Sequence, residues 1–296
     1  MPCPRPARAF RLSIAERLSS VKIAVLSDPH IGSTNPVFVP NWDKVVSYVN
    51  TRNDIDLAII LGDLTLLGSE ERQDLAFGRT ALEALNLPWL AVPGNHDVGD
   101  IARSSHQPAN SERLSLWNAQ YGPAHWHDDR LAGWRLIGLN SQIIGSGLAE
   151  EEAQWEALAQ ALATCGSRKP VLFTHMPLFL KGWAEEDRPA WALMSDGRER
   201  LRRLIDEHGV RAVVTGHMHR TIQFDTPETR MIWCAASSFL TYDQSMPEQP
   251  GAALLGLTIL TMGDQDIDAE FVEIDDLMIS RIEDYNGTIY RSPPKD

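Results

Sequence analysis

Short apolar runs, each halted by Gly, Asn, Asp or His, recur along the chain. VKIAVLSD (21–28), LAIILGD (57–63), WLAVPGN (89–95), WRLIGLN (134–140), VLFTH (171–175) and RAVVTGH (211–217) have the length and continuity of buried strands that feed polar loops. Helical spacing fills the gaps between them. Asn41 is placed to cap WDKVVSYVNTR, and ERQDLAFGRTALEAL keeps the same period. AEEEAQWEALAQALA opens on an acidic turn at 150–152 that the helix dipole favours. SDGRERLRRLIDEHG runs from a Ser195 or Asp196 cap to Gly209. Beyond about residue 220 the pattern turns to strands only, in TIQFD, MIWCAAS, AALLGLTIL and DAEFVEI. The reading is an α/β (α+β) protein with a β-rich C-terminal half: an arm over 1–20, one domain over 21–282 and a tail over 283–296. KGWAEEDRPAWALMSDG (181–197) directly follows a strand end and is the candidate lid.

Composition narrows the class. The chain has 296 residues, 43% hydrophobic and 23% charged, which is globular and ample for a large core. Its net charge of −13 disfavours generic nucleic-acid coating, and leaves a nuclease as a less favoured reading. Cys3, Cys165 and Cys234 form no CxxC pair, so no disulfide framework or thiolate zinc site is expected, and a reducing cytoplasm fits. No apolar stretch has the length of a membrane span, and the opening residues lack the apolar core of a secretion signal.

Aligned by strand end, the polar residues become informative. Asp28 and His30, Asp63, Asn95 and His96, His175, and His217 with His219 all stand at or just past an apolar run. The carboxyl ends of strands line the ligand crevice of open α/β sheets, so these side chains can converge there. Two divalent cations about 3.5–4 Å apart need oxygen and imidazole ligands and a carboxylate that bridges them. Asp63 is the bridging candidate. Residues two apart in extended backbone point to one side, so Asp28 with His30, and His217 with His219, are each expected to grip a metal as a pair. Two such ions, two carboxylates and one hydroxide leave about +1 at the site, enough to attract a phosphate ester to an acidic protein.

The blocks DPH, GDLT, GNHD, FTHMP and GHMH, in this order over residues 21 to about 240, resemble the signature of the calcineurin-like metallophosphoesterase superfamily. The resemblance implies a four-layer sandwich of two mixed β-sheets flanked by helices. It implies a first metal on Asp28, His30, Asp63 and His219, and a second on Asp63, Asn95, His175 and His217. Asn95 and His96 would contact the phosphate, and His96 would help protonate the leaving oxygen after in-line attack by a metal-bridging hydroxide. GDLT and GHMH resemble class III cyclic-nucleotide phosphodiesterases, whereas VPGNHDVGD and LNSQ (139–142) resemble phosphatase-like branches.

The sequence reading is therefore a dinuclear phosphoesterase on small phosphate esters. Phosphodiesters, of cyclic-nucleotide or glycerophosphodiester type, are favoured slightly, from GDLT and the aromatic 179–191 segment, and phosphomonoesters are the alternative. A non-catalytic metal-binding module is the rival from another class. Mn is the expected metal, with Fe, Zn, Co and Ni compatible with the same ligands. Other features read more plainly. His106, His125, His127 and His208 are surface residues, and Cys234 is a buried small hydrophobe. Phe179, Trp183 and Trp191 pack a lid in preference to stacking on a base. Asp97 either orients His96 or shapes its turn. A homodimer is compatible with the sequence.

Overall fold

A computed structural model describes residues 21–101, 107–241, 250–285 and 288–289. Eleven strands and six helices follow in chain order: β1 Val21–Leu26, α1 Val39–Thr51, β2 Leu57–Leu61, α2 Arg72–Leu82, β3 Trp89–Val92, α3 Asn95–Val98, α4 Ser111–Tyr121, β4 Trp126–Asp128, β5 Trp134–Leu139, α5 Ala149–Ala163, β6 Lys169–Thr174, α6 Ser195–His208, β7 Ala212–Thr215, β8 Ile222–Asp225, β9 Arg230–Trp233, β10 Gly256–Met262 and β11 Ile267–Glu273. They form a five-stranded sheet, β11-β10-β1-β2-β3, and a six-stranded sheet, β4-β5-β6-β7-β9-β8. Both are mixed. β1, β2 and β3 are parallel while β10 and β11 are antiparallel, and β5, β6, β7 and β9 are parallel with antiparallel edges at β4 and β8.

Strand periodicity explains the layering. Ile23 and Val25 of β1 meet Val171 and Phe173 of β6 and Val214 of β7 in the core between the sheets. Ala24 and Leu26 face the other way, onto Trp42, Val45 and Val49 of α1, Leu75 of α2 and Trp117 of α4. On the far side of the second sheet, Leu172 and Val213 pack under Trp155 and Leu158 of α5 and Leu201 and Ile205 of α6. Strands buried on both faces must be apolar at every position, which is why they read as uninterrupted runs. The result is the four-layer sandwich of two mixed sheets flanked by helices.

Local details depart from the sequence reading. Asn41 does not cap α1: Pro40, suited to a first turn, lets the helix begin at Val39. Asn41 is instead buried, with Nδ2 donating to the Ser238 and Met278 carbonyls and Oδ1 accepting from Met278 N. α6 has Met194 at its N-cap, while Ser195 bonds Asp187 through its amide and hydroxyl. α4 is absent from the sequence reading, although Leu114, Trp117 and Tyr121 carry its stripe and Asn110 caps it by accepting from Arg113 N. Tyr285, assigned to the tail, stands edge-on against Phe38. His106, Cys3 and residues 1–20 lie outside the described residues.

Candidate metal centre

Parallel β1, β2 and β3 and parallel β6 and β7 end on the same side of the sandwich, and each releases its polar residues there. Their backbone is not extended. Asp28, His30, Asp63, His217 and His219 all have left-handed φ, between 47° and 68°. Such conformations cost on the order of 1–3 kcal/mol each and cluster at functional sites. The expected extended backbone is thus replaced by tight turns; Asp28 and His30 still fall in one group, whereas His217 and His219 fall in different ones. Backbone bonds hold these turns across strands, from Asp28 N to the Gly62 carbonyl, His30 N to the Asp63 carbonyl and Gly216 N to the His175 carbonyl. Gly62 and Gly94 are needed for close approach: a Cβ on either would overlap the His175 ring or the Asp63 carboxylate.

Three groups of ligand-capable atoms, each within 4.8 Å of one another, result: Asp28, His30 and His219; His30, Asp63 and His96; and Asp63, His175 and His217. Asp63 is the hinge of the arrangement. Its Oδ2 lies 3.6 Å from His30 Nε2 and 3.2 Å from His175 Nε2, while its Oδ1 accepts from His96 N at 2.9 Å. Asp28 Oδ1 stands 3.5 Å from His219 Nε2, and Oδ2 accepts from the Ser27 hydroxyl. Asn95 Oδ1 is buried without a hydrogen-bond partner.

Ring protons fix what the histidines can offer. A carbonyl only accepts, so each ring nitrogen facing one carries a hydrogen. His175 Nδ1 faces the Leu61 carbonyl at 2.9 Å, His219 Nδ1 the Phe239 carbonyl at 2.7 Å, and His217 Nε2 the Ala190 carbonyl at 2.9 Å. Their remaining nitrogens present lone pairs inward, with His217 Nδ1 only 3.2 Å from His175 Nε2. Lone pairs so close to one another and to Asp63 call for a cation. Without a metal, a proton takes that role: burial would lower the His175 pKa, but the Asp63 carboxylate outweighs it and raises the value to about 9. Burial and the neighbouring His175 hold His217 down to about 4, and burial and His96 hold His30 well below the ordinary range. Orphaned Asn95, the committed tautomers and an all-oxygen-and-nitrogen donor set fit divalent metal ions.

Asp97 shapes the turn. Its buried carboxylate accepts from Gly94 N, Leu64 N and both the amide and hydroxyl of Thr65, while His96 Nδ1 is held by the Leu66 carbonyl at 2.8 Å. Burial and the nearby Asp63 charge raise the Asp97 pKa to about 6. Phe179 is buried, and Trp183 is committed to packing: it stands edge-on to Phe179, donates Nε1 to Glu228 and lies under Arg202. Sequence reasoning missed Phe239, whose ring lies 4.9 Å from His30 and 4.2 Å from His219, and every carbonyl that sets a tautomer. Backbone acceptors leave no trace in residue types. His125, His127 and His208 join no ligand group among the described residues.

The profile of the Calcineurin-like phosphoesterase family matches residues 21–221, more than half of the chain and all of the metal-capable side chains gathered here. The chain belongs to that family, whose members use divalent metal ions. It is 28% identical over 211 residues to the serine/threonine-protein phosphatase CPPED1 of Bos taurus, covering 67% of this chain and 60% of that protein. It is 26% identical over 213 residues to a probable cyclic nucleotide phosphodiesterase of Moraxella catarrhalis, covering 67% and 71%. The chain thus spans about three-fifths of the bovine CPPED1 relative. In fold it is similar to the purple acid phosphatase PPD1 of yellow lupin (Lupinus luteus), with a TM-score of 0.61 at 16% identity over 94% of this chain and 57% of that one. No helix among the described residues is long and apolar enough to cross a membrane.

Proposed function

We propose that this protein is a two-metal phosphoric ester hydrolase, a reading carried by the convergence of oxygen and nitrogen lone pairs on both sides of the Asp63 carboxylate. Asp28, His30, Asp63 and His219 would hold one ion, and Asp63, Asn95, His175 and His217 the other. When bound, such ions activate water and neutralise phosphoryl charge. The chain's own part is orientation and proton transfer. Asp63, engaged from both sides, sets the spacing. His96, half-buried beside Asp63 and His30, keeps its Nδ1 proton on the Leu66 carbonyl, so in the imidazolium form the Nε2 proton is the one that moves to the leaving oxygen. The neutral ring that results already has the tautomer the carbonyl holds.

Phosphomonoesters are the substrate class we favour. The diester expectation leans on GDLT and on aromatic rings of the 179–191 segment. Phe179 and Trp183 are bound up in packing, which leaves the phosphatase resemblance of VPGNHDVGD and LNSQ the stronger argument. The named phosphatase relative agrees with it. The second reading, diester hydrolysis, retains GDLT and the bacterial phosphodiesterase relative. Metal-stripped protein reloaded with Mn²⁺ and assayed side by side on p-nitrophenyl phosphate and bis-p-nitrophenyl phosphate decides: a higher kcat/KM on the monoester is expected. Preference for the diester reverses the choice. No turnover on either, with two equivalents of metal bound, returns the chain to the non-catalytic metal-binding reading.

A further inference from the structure

His217 is held from outside the family's signature blocks. The 180–194 segment touches the turn His217-Met218-His219 in two independent ways. The Ala190 carbonyl takes the Nε2 proton of His217, and Trp191 and Ala192 pack with Met218, which is wholly buried between the two histidines. Within the segment Glu185 accepts from Leu180 N and Lys181 N, and Trp183 bonds Glu228; from α6 a buried guanidinium ties it as well. Arg198, 2% exposed on α6, donates from Nη1 to the Leu193 carbonyl at 3.2 Å and from Nη2 to the Glu185 carbonyl at 2.6 Å. Ala190 lies between those two anchors in sequence. The guanidinium charge is met by the carboxylates of Glu185 and Asp187, each 3.8 Å away. A planar fork with several fixed donors can bridge two carbonyls in this way, and an ammonium cannot reproduce the geometry.

We propose that Arg198 is a positioning residue: by tying the 180–194 segment it holds the Ala190 carbonyl on His217 Nε2 and so keeps His217 Nδ1 proton-free and turned toward His175. The inference rests on the assignment of His217 as a ligand of the second metal. Its consequence is selective. Loosening Arg198 frees the His217 ring to change tautomer or rotate, while the Asp28, His30 and His219 group, linked to the same turn through His217 N on Asp28 and through Met218, keeps its own supports in the Ser27 hydroxyl and the Phe239 ring and carbonyl.

The test compares wild type with Arg198→Met, Arg198→Lys and, as a control on the same helix, Arg200→Met, which removes an exposed ion pair with Glu152 and a cation–π contact over Trp155. Mn²⁺ is titrated into metal-free protein by calorimetry, and the ¹⁵N pattern of the histidine rings is recorded on the metal-free protein. The expected result for Arg198→Met is an unchanged first equivalent and a second equivalent weakened about 10–100-fold, the usual size for loss of an outer partner of a ligand. The His217 ring should lose its pure Nε2–H pattern. Arg198→Lys should fall between, and Arg200→Met should match wild type. Two equivalents bound as tightly as in wild type, with the ring pattern unchanged, overturn the proposal. If Arg198→Met does not fold, Arg198→Lys is read by the same two criteria. Should wild type itself bind no second equivalent, the two-metal reading fails, and the ring pattern alone decides the role of Arg198.

Discussion

The Asp28–His30–His219 group and the Asp63–His175–His217 group use the same residue types and differ in what holds them. The first is wholly buried, and its supports are core: the Ser27 hydroxyl on Asp28, and the ring and carbonyl of Phe239 on the two histidines. In the second, His175 is equally buried, but His217 is only partly so and leans on a carbonyl of the largely exposed 180–194 segment. One position is guaranteed by packing that the fold needs anyway. The other depends on a segment whose ends are buried but whose middle, over 181–190, is mostly exposed, and there metal affinity and access can be tuned.

Substitution of the shared carboxylate is the severest way to break the comparison. Asp63→Ala should remove both positions at once and take activity to background, because in the proposed arrangement one side chain would serve both ions; full activity with a single bound metal would refute the bridging assignment. His96→Ala should retain metal and lower kcat about 10²–10⁴-fold, most for esters with poor leaving groups. Unchanged kinetics would remove His96 from proton transfer.

A gentler comparison uses protons against metal. His175 carries a proton below about pH 9 in the metal-free protein, and a metal must displace it. Affinity at the outer position should therefore fall about tenfold for each pH unit below 9, with proton release on binding. His30, held well below its ordinary range, is already neutral at pH 7 and adds no such dependence at the inner position. Mn²⁺ calorimetry in buffers of different ionisation enthalpy, from pH 6 to 9, reads both; equal slopes at the two positions would contradict the difference. The smallest effect is expected at the edge of the segment. Trp183→Phe deletes the bond to Glu228, worth about 1 kcal/mol, and should lower Tm by roughly 2–4 °C with KM unchanged. A raised KM would return that ring to the substrate.

Much of the molecule is legible in the order of its residues. Strands buried on both faces must be apolar throughout, and a residue that leaves a sheet toward solvent must be polar, so six strands and the polar residue at each end can be read from periodicity alone. α5 is readable to its ends, since Ala149–Ala163 carries its own acidic first turn. The ordered blocks name the family. Other features depend on contacts distant in sequence. Asn41 looks like a cap and is a bolt between residues 238 and 278. The aromatic residues of the 179–191 segment read as lid packing in preference to base stacking, and for Phe179 and Trp183 the structure shows which partners they pack on. Above all, residue types announce which side chains can bind metal, but left-handed backbone at five of them and the carbonyls of Leu61, Leu66, Ala190 and Phe239 decide where they point and which nitrogen is free of its proton. A backbone carbonyl is common to every residue, so its placement is written only in the tertiary fold.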